Sequence, residues 1–291
     1  MMLAMQQMNG ISRRKFFQGA AGTIGALGLA GAGRLRANPL GYPIGCQTWP
    51  VRQEIGKDLD GTLKELAGWG FERIEMCSPP GYAQLGFGPL AQMKPSDLRE
   101  KIHAAGLGCE SCHFGFGELK DHLDERLAWA KEMGLKQMIL STFGISKEAK
   151  MADWMSAADR ANKIAEQTHK AGIQFGFHNH DFEFQKIDGE LVYDRLMSEF
   201  DPKLVKMQFQ VSVVRLGYHA ADYFKKYPGR FISIHLQDYS PEKKKEVALG
   251  QGEVDWKRLW AAAKKSGARN YFVEVDREDL QPSAQFLKGL S

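Results

Sequence analysis

From residue 42 onward this chain alternates eight times between short runs rich in β-branched and aromatic residues and longer stretches with apolar residues at three- and four-residue steps. Strands are expected at residues 44–49, 73–77, 108–113, 137–141, 174–179, 205–210, 231–236 and 271–275. Helices are expected at 60–68, 95–105, 118–133, 151–171, 192–200, 220–227, 255–266 and 282–290. Leu123, Leu127, Ala130 and Met133 illustrate the helical step. Gly70, Gly106, Gly134, Gly172 and Gly267 each stand just before a strand, where a left-handed residue ends a helix. Eight strand–helix units in about 250 residues match a closed (β/α)8 barrel in number and size. The rival is an open doubly wound sheet, which usually carries a glycine-rich phosphate turn after its first strand. Cys46-Gln47-Thr48-Trp49-Pro50 is not such a turn. No composition break after residue 40 marks a second domain. The expected class is therefore α/β, a single (β/α)8 barrel.

The first 37 residues differ in character. They carry Arg13, Arg14, Lys15, Arg34 and Arg36 and no acid. Ser12-Arg13-Arg14-Lys15-Phe16-Phe17 precedes a weakly apolar, Gly/Ala-rich run from Gly19 to Gly33, and Leu35-Arg36-Ala37 offers a cleavage site. The pattern resembles a bacterial twin-arginine export signal. A run of about 15 residues is short for a membrane span, so no stable span is expected once the segment is removed. Residues 1–37 are expected to be the signal, 38–291 the barrel, and the periplasm the destination. Without the segment the formal charge of +4 becomes 34 basic against 35 acidic side chains. A near-neutral mature chain offers no concentrated basic face, which argues against a nucleic-acid partner. Cys46, Cys77, Cys109 and Cys112 fall in or near expected strands and read as core thiols. Cys109 and Cys112 have metal-knuckle spacing, but no second pair accompanies them.

In a closed barrel, chemistry gathers where the strands finish. Polar groups at the expected ends are Gln47, Glu75, Glu110, His113, His178, His180, Glu183, Gln208, Gln210, His235, Gln237, Asp238, Glu274 and Asp276. The densest stretch is Phe177-His178-Asn179-His180-Asp181-Phe182-Glu183, with two imidazoles two residues apart and so on one face of a strand. Imidazoles and carboxylates at strand ends suit a metal ion and proton transfer. Trp49, Phe114, Phe116 and Tyr239 follow strands one, three and seven, where they could stack on a sugar ring. Gly250-Gln251-Gly252-Glu253 reads as a turn into a helix with Asp255 as its N-cap, and Lys243-Lys244-Lys245 as a solvated loop run.

With Phe231-Ile232-Ser233-Ile234-His235-Leu236-Gln237-Asp238 and Val273-Glu274-Val275-Asp276, these segments resemble the xylose-isomerase-like sugar isomerase/epimerase superfamily of TIM barrels. The resemblance covers essentially all of residues 42–290. In metal-dependent members, strands five to eight supply Glu, Asp, His and Glu to one divalent ion. The resemblance places His178, Gln210, His235 and Glu274 at those positions, two matching and two departing. Neutral donors in place of two carboxylates shift the expected preference to Mn²⁺, Fe²⁺, Co²⁺ or Zn²⁺ over Mg²⁺ or Ca²⁺ and weaken binding. Glu274 is the expected base, and His113, His180 and Glu183 are the candidate second acid/base groups. The plainer reading of His180 is a supporting hydrogen bond, and of Glu183 a rim ion pair.

The expected activity is sugar isomerisation or epimerisation, with a proton abstracted α to the carbonyl of a sugar or keto-sugar and the metal as Lewis acid for the enediolate. The superfamily also holds inosose dehydratase-like members. The same abstraction followed by β-elimination, for example of a 3-keto-glycoside, would make a lyase or dehydratase. A non-catalytic sugar-binding barrel is the third reading, motivated by Gln210. The expected partner is a small sugar or keto-sugar, and the oligomeric state is left open.

Overall fold

A computed structural model describes residues 41–146 and 148–290, and the expected export signal lies outside them. Eight parallel strands close into one barrel. They are β1 Gly45–Gln47, β2 Arg73–Cys77, β3 Gly108–Phe114, β4 Gln137–Leu140, β5 Gln174–His178, β6 Val205–Gln210, β7 Phe231–Leu236 and β8 Asn270–Val273. The ring closes where Gly45 pairs with Phe272 and Cys46 with Val273. The expected strands are all present and in the expected order, with helices between them, so the fold is a single (β/α)8 barrel. No helix among the described residues is long and apolar enough to cross a membrane.

Register sorts the strand residues into two faces, because side chains alternate along a strand. Gln47 is level with Glu75, Glu75 with Ser111, Cys77 with His113, His178 with Gln208, and Gln210 with His235. This set points into the barrel. The residues between them point outward. Cys46, Ile74, Met76, Cys112, Met138, Phe175, Phe177, Met207, Phe209, Ile234 and Val273 all belong to one buried apolar cluster shared with the helices. The hydrophobic core therefore lies between barrel and helices, and the barrel's interior is largely polar. Ile139 and Phe272 are buried on the inward face and stand outside that cluster. Gly45 makes room for one of them, since a Cβ there would lie 2.5 Å from Phe272 Cδ1 and 2.7 Å from the Tyr271 carbonyl oxygen.

The helices follow the same logic. Met151–Lys170 buries Trp154, Ala157, Ala158, Ala161, Ile164, Ala165 and Thr168, a stripe at three- and four-residue steps. Two helices depart from expectation. The segment read as one helix over 118–133 is two, Phe116–Asp121 and Leu123–Met133, broken at His122, whose backbone (φ −134°, ψ 31°) is not helical. The last helix starts at Arg277 and carries Pro282 inside it, where the sequence suggested a start. Proline removes one rung of the hydrogen-bond ladder, and packing of Leu280, Ala284 and Leu287 holds the helix through it. All four cysteines are free and buried, in keeping with their reading as core thiols. Burial raises each thiol far above its ordinary range, Cys109 to about 12.

Beyond β7 the chain forms a small hairpin, Asp238–Ser240 with Lys245–Val247. Its anchor is Asp238, which is wholly buried. The carboxylate accepts the backbone N–H groups of Gly250 at 2.9 Å, Gly252 at 3.1 Å and Val254 at 3.1 Å, and the indole N–H of Trp256 at 3.2 Å. The Gly-Gln-Gly string is thus a loop wrapped around a carboxylate, and it leads into a helix capped by Asp255, which accepts from Arg258 N at 2.9 Å. A Cβ on residue 252 would sit 2.2 Å from Asp238 Oδ1. Gly252→Ala is expected to cost roughly 1–3 kcal/mol, read as a lowered midpoint in urea with an unchanged slope.

Candidate active site at the barrel mouth

The floor of the site is a buried carboxylate. Glu75 lies on the inward face of β2 with no exposed surface. Gln47 Nε2 donates to it at 2.9 Å from β1, Gln208 Nε2 at 2.8 Å from β6, and the Ser111 hydroxyl from β3. His235 Nε2 on β7 lies 2.6 Å from Glu75 Oε2, and His113 Nε2 lies 3.2 Å from the same oxygen. Burial by itself would raise this carboxyl. The imidazoles of His113 and His235 outweigh that and hold it well below the usual range.

Above the floor stand four imidazoles. The His113 and His235 rings are parallel within 5° at 5.1 Å, His178 lies 5.0 Å from His113 and 4.5 Å from His235, and His180 lies 4.7 Å from His178. His235 Nδ1 is 2.8 Å from Glu274 Oε2, so this ring bridges two carboxylates. Burial disfavours its charged form, but Glu274 and Glu75 outweigh burial and push it up to about 9. Burial opposes ionisation of Glu274 as well, and the His235 charge still leaves it lowered. The other rings are driven the opposite way. Burial, reinforced by the neighbouring imidazoles, lowers His178 well below its ordinary value, and burial brings His180 down to about 4. Glu274 keeps 14% of its side chain exposed, where Glu75 and His235 keep none. Of the two carboxylates bonded to His235 it is the more open.

The expected site residues come together at this mouth. The imidazole nitrogens of His113, His178 and His235 all lie within 4.8 Å of one another, a group that could hold a metal ion. His178 and His235 were expected ligands. His113, expected as an acid/base group, joins them, and Glu274 stands one hydrogen bond away, on His235. Gln210 is level with His235, and its Oε1 is buried without a hydrogen-bond partner, as is Nδ1 of His178. Unpaired buried lone pairs on two expected ligands, next to clustered imidazoles, fit a borderline divalent ion. Glu183 is wholly buried and makes no rim ion pair. Its Oε2 accepts the His180 backbone N–H at 2.7 Å, its Oε1 has no partner, and burial raises it well above the carboxylate range.

Sequence reasoning undervalued the floor. Glu75 and Gln208 were recognised as strand-end residues and given no role, because nothing local says that both meet across the barrel axis. It also missed Glu246 on the hairpin, which burial and the Glu274 charge raise to about 7. The stacking residues need one correction. Phe114 has no exposed surface and packs edge-on against Trp129, so it cannot meet a ligand. Trp49, Phe116 and Tyr239 stay partly exposed.

The charged bridge sets a pH dependence. The folded-state value of His235, about 9, lies above its ordinary 6.5, so its stabilising contribution is complete below pH 6.5 and is lost as pH rises through 9. After chelation, the melting temperature should fall across that window, and His235→Gln should flatten the profile. A chelated wild-type protein with constant stability across it would contradict the bridge.

A family model described as a xylose isomerase-like TIM barrel matches residues 63–290. Among curated proteins the chain is similar to the inosose dehydratase of Clostridium perfringens, 28% identical over 178 residues, covering 50% of this chain and 59% of that protein. The inosose dehydratase of Lacticaseibacillus casei is 23% identical over 145 residues, covering 44% of this chain and 48% of that protein. The chain thus spans about half the length of the curated relatives it matches. A sugar phosphate isomerase/epimerase from Parabacteroides distasonis shares the fold, with a TM-score of 0.70, 23% identity and coverage of 84% of this chain and 93% of that one. The IOLI protein, whose structure holds a zinc atom, shares it with a TM-score of 0.58, 13% identity and coverage of 86% and 95%. With more than three quarters of its length matched by the family model, and with the barrel that model describes, this chain belongs to the xylose isomerase-like TIM barrel family.

Proposed function

We propose that this barrel is a sugar-processing enzyme that removes a proton α to the carbonyl of a sugar or keto-sugar. One observation carries the reading. His178 Nδ1, His180 Nδ1, Gln210 Oε1 and Gln237 Oε1, from three consecutive strand ends, are all buried without partners. A buried polar group left unsatisfied costs roughly 1–3 kcal/mol, so four gathered at one mouth support a polar ligand there. They offer donors and acceptors together, as a polyhydroxylated ligand requires.

Glu274 takes the role of base. Before an ion binds, the His235 imidazolium keeps it ionised and orients it from 2.8 Å, and its exposed edge leaves room for a C–H bond. His180, neutral near pH 7 and within the field of Glu274, would return or relay the proton, while Glu183 braces its backbone. His113, His178 and His235, with Gln210 and Glu274 beside them, would hold a divalent ion of the Mn, Co, Fe or Zn type, which supplies Lewis-acid polarisation of the carbonyl when bound. Reprotonation on carbon gives isomerisation or epimerisation, the default reading. Loss of a β-substituent gives a lyase or dehydratase, and the similarity to inosose dehydratases supports that second outcome. The paired arginines at the amino terminus support export to the periplasm.

Glu274→Gln should retain zinc and lose about 10²–10⁴-fold in turnover. Full turnover by that variant would remove Glu274 from the mechanism. Incubation with ketohexoses and 3-keto-glycosides in heavy water separates the two outcomes. Deuterium in an epimer or aldose–ketose product identifies an isomerase, and a released aglycone or water identifies a lyase.

A further inference from the structure

We propose that Glu75 is the positioning residue of this site: it holds a proton on Nε2 of both His113 and His235, so that Nδ1 is the nitrogen of each ring left for an ion, the proton that His235 Nδ1 gives to Glu274 being released when one binds. The inference rests on the imidazole cluster being the binding centre, as argued above. Glu75 itself has no exposed surface and touches no substrate.

The assignment follows from donors and acceptors, starting at a group that can only accept. An ionised carboxylate has no proton to give. Every neighbour within hydrogen-bond distance of Glu75 must therefore present an N–H or O–H. Gln208 Nε2 donates to Glu75 Oε1 at 2.8 Å and to Ser233 Oγ at 2.9 Å. With its amino group committed there, the Gln208 atom facing His113 is Oε1, at 2.6 Å from Nε2. An amide oxygen also only accepts, so His113 Nε2 carries the proton. Glu75 Oε2, 3.2 Å from that nitrogen, enforces the same choice, because a lone pair there would face a negative oxygen. His235 Nε2, 2.6 Å from Glu75 Oε2, must likewise be a donor. Its Nδ1 lies 2.8 Å from Glu274 Oε2, also a carboxylate, so with no ion bound that nitrogen is a donor too. The same carboxylate therefore holds Nε2–H on two rings that lie parallel on opposite strands: it selects the tautomer of His113, and that of His235 once its Nδ1 proton is released, as buried carboxylates do for metal-binding imidazoles.

The test reads the ring nitrogens directly. In chelated wild-type protein, long-range ¹H–¹⁵N correlation should show His113 protonated at Nε2 and bare at Nδ1. After zinc addition, His235 should keep Nε2–H and show Nδ1 as the metal-shifted nitrogen. Glu75→Gln should lose the Nε2 preference of His113 and weaken zinc binding roughly 10–100-fold, while a cooperative melt shows that it folds. Ser111→Ala removes a donor to the same carboxylate without touching a ring and should leave both tautomers in place. An Nδ1–H tautomer of His113 in the wild-type protein would overturn the proposal, as would wild-type ring shifts and zinc affinity in Glu75→Gln. If Glu75→Gln does not fold, the wild-type spectra decide alone. A centre that binds no zinc but keeps His113 protonated at Nε2 would remove the metal from the proposed function and leave the role of Glu75 standing.

Discussion

Placing a carboxylate on the axis of a barrel carries a desolvation penalty of several kcal/mol unless its lone pairs are met. Glu75 meets that condition with donors from four other strands: Gln47, Ser111, Gln208 and His235. These bonds run across the barrel, so they tie together strands that the backbone ladder links only to their immediate neighbours. They also exclude alternatives. A one-residue slip of β6 would carry Gln208 to the outer face and leave Glu75 short of a donor. The registers that close the barrel and the polar groups that fill it support each other.

The interior divides into two levels with different properties. At the floor the polar atoms around Glu75 find partners, which makes that network rigid, while Gln137 Oε1, level with Ser111, is left without one. At the mouth, His178, His180, Gln210 and Gln237 each leave an atom unsatisfied. A satisfied level below an unsatisfied one is what a preorganised site requires, since the lower groups fix the rotamers of the upper ones before a ligand arrives. The hairpin wound around Asp238 adds a fixed rim on one side, held by backbone donors that do not depend on side-chain flexibility.

Electrostatics then separates chemically identical side chains into different roles. His178, His180 and His235 lie within one cluster, yet burial keeps the first two neutral while two carboxylates keep the third charged. Glu75 and Glu274 are both held ionised by His235, but only Glu274 retains an exposed edge. Partner identity and access, more than residue type, decide which group supports and which group is open to react.

The sequence by itself determined the barrel, because the eightfold alternation of strand and helix periods and the glycines ahead of the strands are local signals that one chain position after another can carry. It also placed His178, Gln210, His235 and Glu274 at strand ends, since those positions follow from strand boundaries alone. It misread the helix break at His122 and the start of the last helix, where packing of Leu280, Ala284 and Leu287 overrides the local preference of Pro282. What only the tertiary structure decided is the pairing of groups far apart in the chain. Glu75 and His235 are 160 residues apart, and His113 and Gln208 are 95 apart. Contacts of that kind depend on barrel closure and register, which bring opposite strands to a common axis and leave no trace in the residues near either partner.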